Sequence, residues 1–134
     1  MIKWIVYISL LFYAHCSFSQ WEHLTSFNSG NDTLHVKDFH FFNADEGILL
    51  ARRAANINRP NRSYILRTAD GAVTWDTIQT FRDTVLVTIS FPSENVGYIS
   101  AVYPSSPVAT IEVLKTTDGG QSWIELPNNG IDQT

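Results

Sequence analysis

One eight-residue segment occurs twice in this chain, and the distance between its copies constrains the fold more than any other feature. The first copy is TADGAVTW at residues 68–75, and the second is TTDGGQSW at residues 116–123. The copies are 48 residues apart. A repeat of about 20 to 50 residues is typical of solenoids and propellers, in which each repeat is one supersecondary unit.

Strand patterns run through the rest of the chain. Short stretches rich in Val, Ile, Phe, Tyr and Thr are bounded by Gly, Pro, Asn and Asp, and no window shows sustained helical periodicity. A second match aligns residues 41–47 with residues 91–97, each with an aromatic strand end, a polar turn and a Gly. The pattern predicts eight strands, at residues 34–42, 47–52, 63–67, 75–80, 84–91, 96–103, 110–115 and 122–126.

Together these observations predict an all-β chain forming a partial β-propeller, with two four-stranded antiparallel blades and one N-terminal strand. Residues 34–82 are the expected first blade, and residues 83–134 are the second blade with the start of a continuation. Residues 20–33 are the leading strand and linker, since Trp21 to Leu24 resemble the strands after Trp75 and Trp123. Because propellers usually have about 4 to 8 blades, we expect the N-terminal piece of a longer propeller.

Residues 1–19 have the pattern of a signal peptide. Lys3 gives a positive start, residues 4–14 are apolar, and Ser17 and Ser19 are small residues where a signal peptidase reads. The apolar stretch is shorter than the roughly 20 residues of a membrane-spanning helix. We expect cleavage after Ser19 and an exported protein without a stable membrane anchor, either periplasmic, cell-surface or extracellular. Lipidation at Cys16 or a retained anchor is the alternative.

Composition excludes some classes of function. After cleavage the chain has 8 basic and 13 acidic side chains, so its net charge changes from -4 to -5. This acidic balance argues against a nucleic-acid partner, which requires a basic surface. Cys16, the one cysteine, is removed with the signal peptide, and this excludes disulfides and thiolate metal sites in the mature chain.

The repeated segment resembles the Asp-box (BNR) repeat, Ser/Thr-x-Asp-x-Gly-x-Ser/Thr-Trp. The second copy matches at every fixed position and the first at all but one, where Ala72 replaces Gly. The chain is most similar to propellers of the photosystem II assembly factor-like and sialidase-like superfamily. The resemblance implies that the box stabilises an outer hairpin of the blade. The matching positions are Thr68, Asp70, Thr74, Trp75, Thr116, Asp118, Gly120, Ser122 and Trp123.

The enzymatic alternative that follows from the resemblance is a sialidase or another glycoside hydrolase. Sialidases have an Arg-Ile-Pro motif ahead of the first box, and its Arg grips the substrate carboxylate. The corresponding residues here are Phe39, His40, Phe41 and Phe42, with neither Arg nor Pro. If the whole protein is a glycoside hydrolase, we expect its catalytic residues to lie mostly outside this chain.

A basic segment joins the second and third predicted strands. It contains five of the eight basic residues of the mature chain, and the corresponding loop of the second unit has Pro104, Ser105, Ser106 and Pro107 instead. Two interpretations stay open, a patch for an anionic ligand or partner and a solvated hairpin loop. The residues are Arg52, Arg53, Arg59, Arg62 and Arg67.

The histidines give no metal-binding pattern. His23, His35 and His40 are scattered, and the odd spacing of His35 and His40 predicts opposite faces of one strand. We expect no metal and no cofactor. The sequence therefore favours an exported, non-catalytic propeller module that binds a protein or glycan partner, with a purely structural module as a further alternative.

Overall fold

The protein consists of two consecutive antiparallel sheets, which confirms the predicted all-β class. The computed structural model describes residues 28–29, 32–53, 60–104 and 110–127. Neighbouring strands pair in chain order in both sheets. The first sheet contains β1 (Asn28–Ser29), β2 (Asp32–Phe41), β3 (Gly47–Arg53), β4 (Arg62–Thr68) and β5 (Asp76–Arg82). The second contains β6 (Val85–Ser90), β7 (Gly97–Tyr103), β8 (Thr110–Thr116) and β9 (Ile124–Glu125).

The four long strands β2–β5 form blade 1, and β6–β9 form blade 2. All eight strands begin and end within two residues of their predicted bounds. The short β1 pairs with the start of β2 at the edge of the first sheet. The strand predicted at Trp21 lies outside the described residues.

A β-bulge occurs at the same place in both blades. The register shifts between Val36 and Asp38 in β2, and again 50 residues later in β6. Because the bulge adds one residue, it reverses the alternation of faces beyond it. His35 is opposite Arg52 and His40 is opposite Ile48, so the two histidines share a face. The prediction that they face opposite sides is wrong for this reason.

The hydrophobic core lies between the two blades. Ile48, Leu50 and Ile65 of blade 1 are fully buried there. Complete burial of one such side chain contributes about 1.5–3 kcal/mol, so this seam is a major source of stability. The residues of blade 2 on the other side are Leu86, Ile89, Ile99, Ala101, Leu114 and Trp123.

Polar contacts fix the connection between the blades. The Ser63 hydroxyl is fully buried and donates to the Thr84 carbonyl at 2.7 Å. The Asp38 carboxylate, placed by the first bulge, accepts from the Thr88 hydroxyl at 2.7 Å and from the Ile89 N–H at 2.9 Å. The first strand of blade 2 is thus bound to two strands of blade 1.

Both copies of the repeated segment turn through left-handed backbone. Gly119 and Gly120 have φ of 69° and 83°, and Gly71 and Ala72 both have φ of 69°. Gly120 lies against Ile48 of the preceding blade, and a Cβ at Gly120 would overlap the Ile48 Cδ1. The Gly of the second copy is therefore required by packing between the blades as well as by its dihedral angle.

We predict that Gly120→Ala lowers the free energy of unfolding by about 2–4 kcal/mol, the sum of left-handed strain and overpacking. Ala72→Gly is the matched control. There the relief of strain and the entropy of Gly nearly cancel, so we expect a change within about 1 kcal/mol. Urea unfolding of the full chain measures both variants, and equal effects would contradict the proposed role of Ile48.

Candidate functional site

The two repeated turns, residues 68–75 and 116–123, have the same hydrogen bonds. Asp70 Oδ1 accepts from the Thr74 N–H at 2.9 Å, and Oδ2 accepts from the Thr74 hydroxyl at 2.6 Å. Asp118 accepts the corresponding bonds from Ser122 at 3.0 and 2.6 Å. The Thr68 hydroxyl also donates to Asp70, and the Thr116 hydroxyl donates to Asp118. Both carboxylates are therefore engaged within their own turns.

These hydrogen bonds favour the charged form of each carboxylate. The hydroxyl of Ser122, followed by its N–H, lowers the pKa of Asp118 from 3.8 to about 2. The Thr74 hydroxyl and N–H lower the pKa of Asp70 in the same way. A general acid or a proton-sharing carboxylate needs a raised pKa. Neither Asp is suited to that role.

Each repeated turn also supports the turn beside it in the same blade. The Gly71 N–H donates to the Asp45 carbonyl, and the Gly119 N–H donates to the Asn95 carbonyl, both at 2.9 Å. The Trp residues follow the same repeat, since Trp75 has an edge-to-face contact with Phe41 and Trp123 has one with Phe91. The indole N–H of Trp123 donates to the Gly120 carbonyl.

A cavity of about 250 Å³ lies where these turns meet at the seam between the blades. Arg67 crosses it. Its guanidinium donates to the Gly119 carbonyl at 3.4 Å and pairs with the Glu46 carboxylate at 3.5 Å. Arg67 and Glu46 are paired with each other and Asp118 is engaged in its turn, so the charges of these three residues are satisfied within the protein. Its lining includes Phe42, Asn43, Glu94, Asn95 and Gln121.

The predicted basic segment is divided by the structure. Arg53 and Arg62 are directly opposite each other at the end of the sheet where β3 leads to β4. Arg52 lies on the other face and donates to the Asn61 side chain at 3.1 Å. Arg67 is five residues along β4 from Arg62, about 17 Å at the usual rise per residue, and belongs to the seam. Arg59 lies outside the described residues.

A further arginine that the sequence interpretation missed completes a row. Arg82 of β5 is directly opposite Arg62, so Arg53, Arg62 and Arg82 follow one another across three strands on one face. We call these three the guanidinium row. The Arg62 Nε is buried without a hydrogen-bond partner. The half-buried Tyr64 is two residues from Arg62 on the same face of β4.

One carboxylate pair also escaped the sequence interpretation. A hydrogen bond between the Glu112 and Glu125 carboxyls raises the pKa of Glu125. Nearby, burial raises the pKa of Tyr103 despite a hydrogen bond to Thr84. A nucleophilic phenol needs a lowered pKa or an adjacent base. Only the pairing of β8 with β9 brings these two residues together, and a sequence pattern does not reveal that pairing.

Other kinds of site were also sought in the described ranges. No group of three or more His, Cys, Asp or Glu side chains there could hold a metal ion. His40 instead stacks on Phe91 and meets Phe42 edge-on at the seam. Over the same ranges, no helix has the length and hydropathy needed to cross a membrane.

Comparisons of the chain with protein families, curated proteins and solved structures found no match.

The lowered pKa of Asp118 makes stability depend on pH. A carboxylate with a lowered folded pKa contributes above its unfolded pKa and loses that contribution as pH falls through the folded value. We predict that the full chain loses stability between about pH 4 and pH 2 and that Asp118→Asn makes this loss smaller. Urea midpoints across that range measure it, with Asp76→Asn as control. An unchanged slope in Asp118→Asn would contradict the assignment.

Proposed function

We propose that the chain is an exported, non-catalytic propeller module of the Asp-box type that binds a protein or glycan partner. One observation carries the proposal. Both carboxylates of the repeated turns are fully engaged by their own Thr and Ser residues. The feature that most resembles paired catalytic acids is therefore a device for holding hairpins. Partner binding then falls to the parts that differ between the blades.

Equivalent positions of the two blades support a propeller arrangement. Val36, Phe39, Leu49, Ala51, Leu66 and Trp75 of blade 1 correspond in order to the six core residues that blade 2 places at the seam. The outer face of blade 2 in turn corresponds to the seam face of blade 1. Val113 replaces Ile65, and Tyr98 replaces Ile48. We infer that a further blade packs on this outer face.

The outer face of blade 2 is apolar and exposed. Ile111 is 65% exposed, Ile124 is 63% exposed, and Val87 and Val113 lie beside them. Exposed apolar patches of this kind mark surfaces that bury themselves against another protein. Because a blade edge and face that no described part of the chain covers invite association, the full chain should not stay monomeric at high concentration.

We predict that the full chain self-associates as its concentration rises and that Ile111→Lys with Ile124→Lys suppresses this association. The charged side chains remove the apolar surface that drives it. Sedimentation velocity over a concentration series measures the effect. Ala44→Lys with Gln121→Lys adds the same charge in exposed turns and should associate like the wild type. A wild-type chain that is monomeric throughout would contradict the docking face.

A fragment of a glycoside hydrolase is the second candidate function. The Glu112–Glu125 pair is the observation that favours it, because glycosidases use two carboxyl groups, one of them with a raised pKa. Against it, the Glu112 Oε2 is buried without a hydrogen-bond partner, whereas both carboxyls of a glycosidase flank the scissile bond of the sugar. The raised pKa of Tyr103 also argues against a phenolate nucleophile.

We predict that the full chain cleaves no glycosidic bond in fluorogenic substrates, sialosides included. In a binding assay, we expect immobilised glycans or proteins to retain the chain. Glu125→Gln is the control, because this substitution would abolish product release if Glu125 were a catalytic residue of a hydrolase. Turnover above the uncatalysed rate that disappears in Glu125→Gln would favour the enzyme and overturn the proposal.

A further inference from the structure

We propose that the guanidinium row binds an anionic polysaccharide, whose carboxylate or sulfate groups pair with Arg62 and Arg82 and face Arg53. This inference rests on the proposed binding function and names the ligand class of that surface. Its starting point is the register of blade 1, in which the three arginines are direct cross-strand neighbours.

The spacing of the row suits a repeating anion. Neighbouring strands are about 4.8 Å apart, so the three side chains leave the sheet at nearly equal intervals. Like charges placed directly opposite each other destabilise a sheet. A chain of anionic groups along the row would remove that repulsion and gain charge-assisted hydrogen bonds from each guanidinium fork.

Arg62 and Arg82 of the row are not neutralised by the described parts of the chain. There, neither Arg62 nor Arg82 forms an ion pair, and the Arg62 Nε has no hydrogen-bond partner. Other arginines of blade 1 differ. Arg67 pairs with Glu46, and Arg52 donates to Asn61. Two adjacent cations thus remain available to an external anion.

Tyr64 indicates a sugar as the carrier of the anionic groups. It follows Arg62 on the same face, between the small side chains of Ala51 and Thr80 on the neighbouring strands. The ring packs against the cluster of Leu49, Ala51 and Leu66 and is half-buried, so its exposed part lies beside the row. An aromatic ring next to guanidinium groups can pack on a sugar ring while the forks hold its acidic substituents.

The row belongs to blade 1 alone. The positions of blade 2 that correspond to Arg53 and Arg62 are Tyr103 and Thr110. The chain as a whole is acidic, with a net charge of -4, so the row is a local feature in an otherwise unfavourable field. This favours a ligand held by short-range pairing over nucleic acid, which needs an extended basic surface.

The test measures binding of the full chain to a polyuronate, a sulfated polysaccharide and a neutral dextran by isothermal titration calorimetry. We expect binding to the first, the second or both, and none to dextran. Arg62→Gln and Arg82→Gln should each weaken binding by about tenfold or more, as expected for a lost charge-assisted hydrogen bond. The two anionic polymers distinguish carboxylate from sulfate recognition.

Lys37→Gln with Lys115→Gln is the charge-matched control for the double variant Arg62→Gln with Arg82→Gln and should bind within about twofold of the wild type. Urea unfolding checks that each variant folds, and exposed Arg82 gives the safest single change. Equal weakening by the lysine and arginine pairs would overturn the proposal, and so would tighter binding of a phosphopeptide than of either polymer. Binding of neutral dextran alone would contradict the proposed role of the guanidinium row but not the proposed binding function.

Discussion

The close approach of Ile48 to Gly120 is the constraint on which the arrangement of the two blades depends. Blade 1 packs a flat apolar face on blade 2, and the repeated turn of blade 2 lies beneath that face. A turn in this position needs left-handed backbone without a bulky side chain. Such a backbone is held in place by the hydrogen bonds that Asp118 and Thr116 provide. The second copy of the repeated segment is thus the local solution to a packing requirement between the two blades.

Local features of this fold could be predicted from the sequence, whereas the register between strands could not. The strand bounds and the repeat length follow from turn residues and apolar periodicity, which act over a few positions. The bulge at Val36 and Asp38 has no such signature, and it placed His35 and His40 on one face against expectation. Arg82 was missed for a similar reason. Only the pairing of β4 with β5 brings it beside Arg62.

Comparison of the blades separates what holds the fold from what distinguishes this chain. The turns, the bulges and the pairing of an aromatic ring with Trp occur in both blades, and each has an architectural role. The guanidinium row, the Asp38 carboxylate and the Glu112–Glu125 pair occur once. Asp38 is explained by its bonds to blade 2, although its burial alone would raise its pKa; hydrogen bonds from Ile89 and Thr88 outweigh that and lower it. The row has no comparable structural explanation.

That difference matters because like charges placed directly opposite each other oppose folding. Three arginines on adjacent strands cost a small amount of stability in every direct pairing, and a sheet gains nothing from keeping them together. Blade 2 has Tyr103 and Thr110 at the corresponding places and forms the same meander, so the fold does not require the charges. A feature that the fold accommodates but does not require is most readily explained by binding. By this reasoning, we propose that binding takes place at the end of blade 1 opposite to the repeated turns, where the guanidinium row lies.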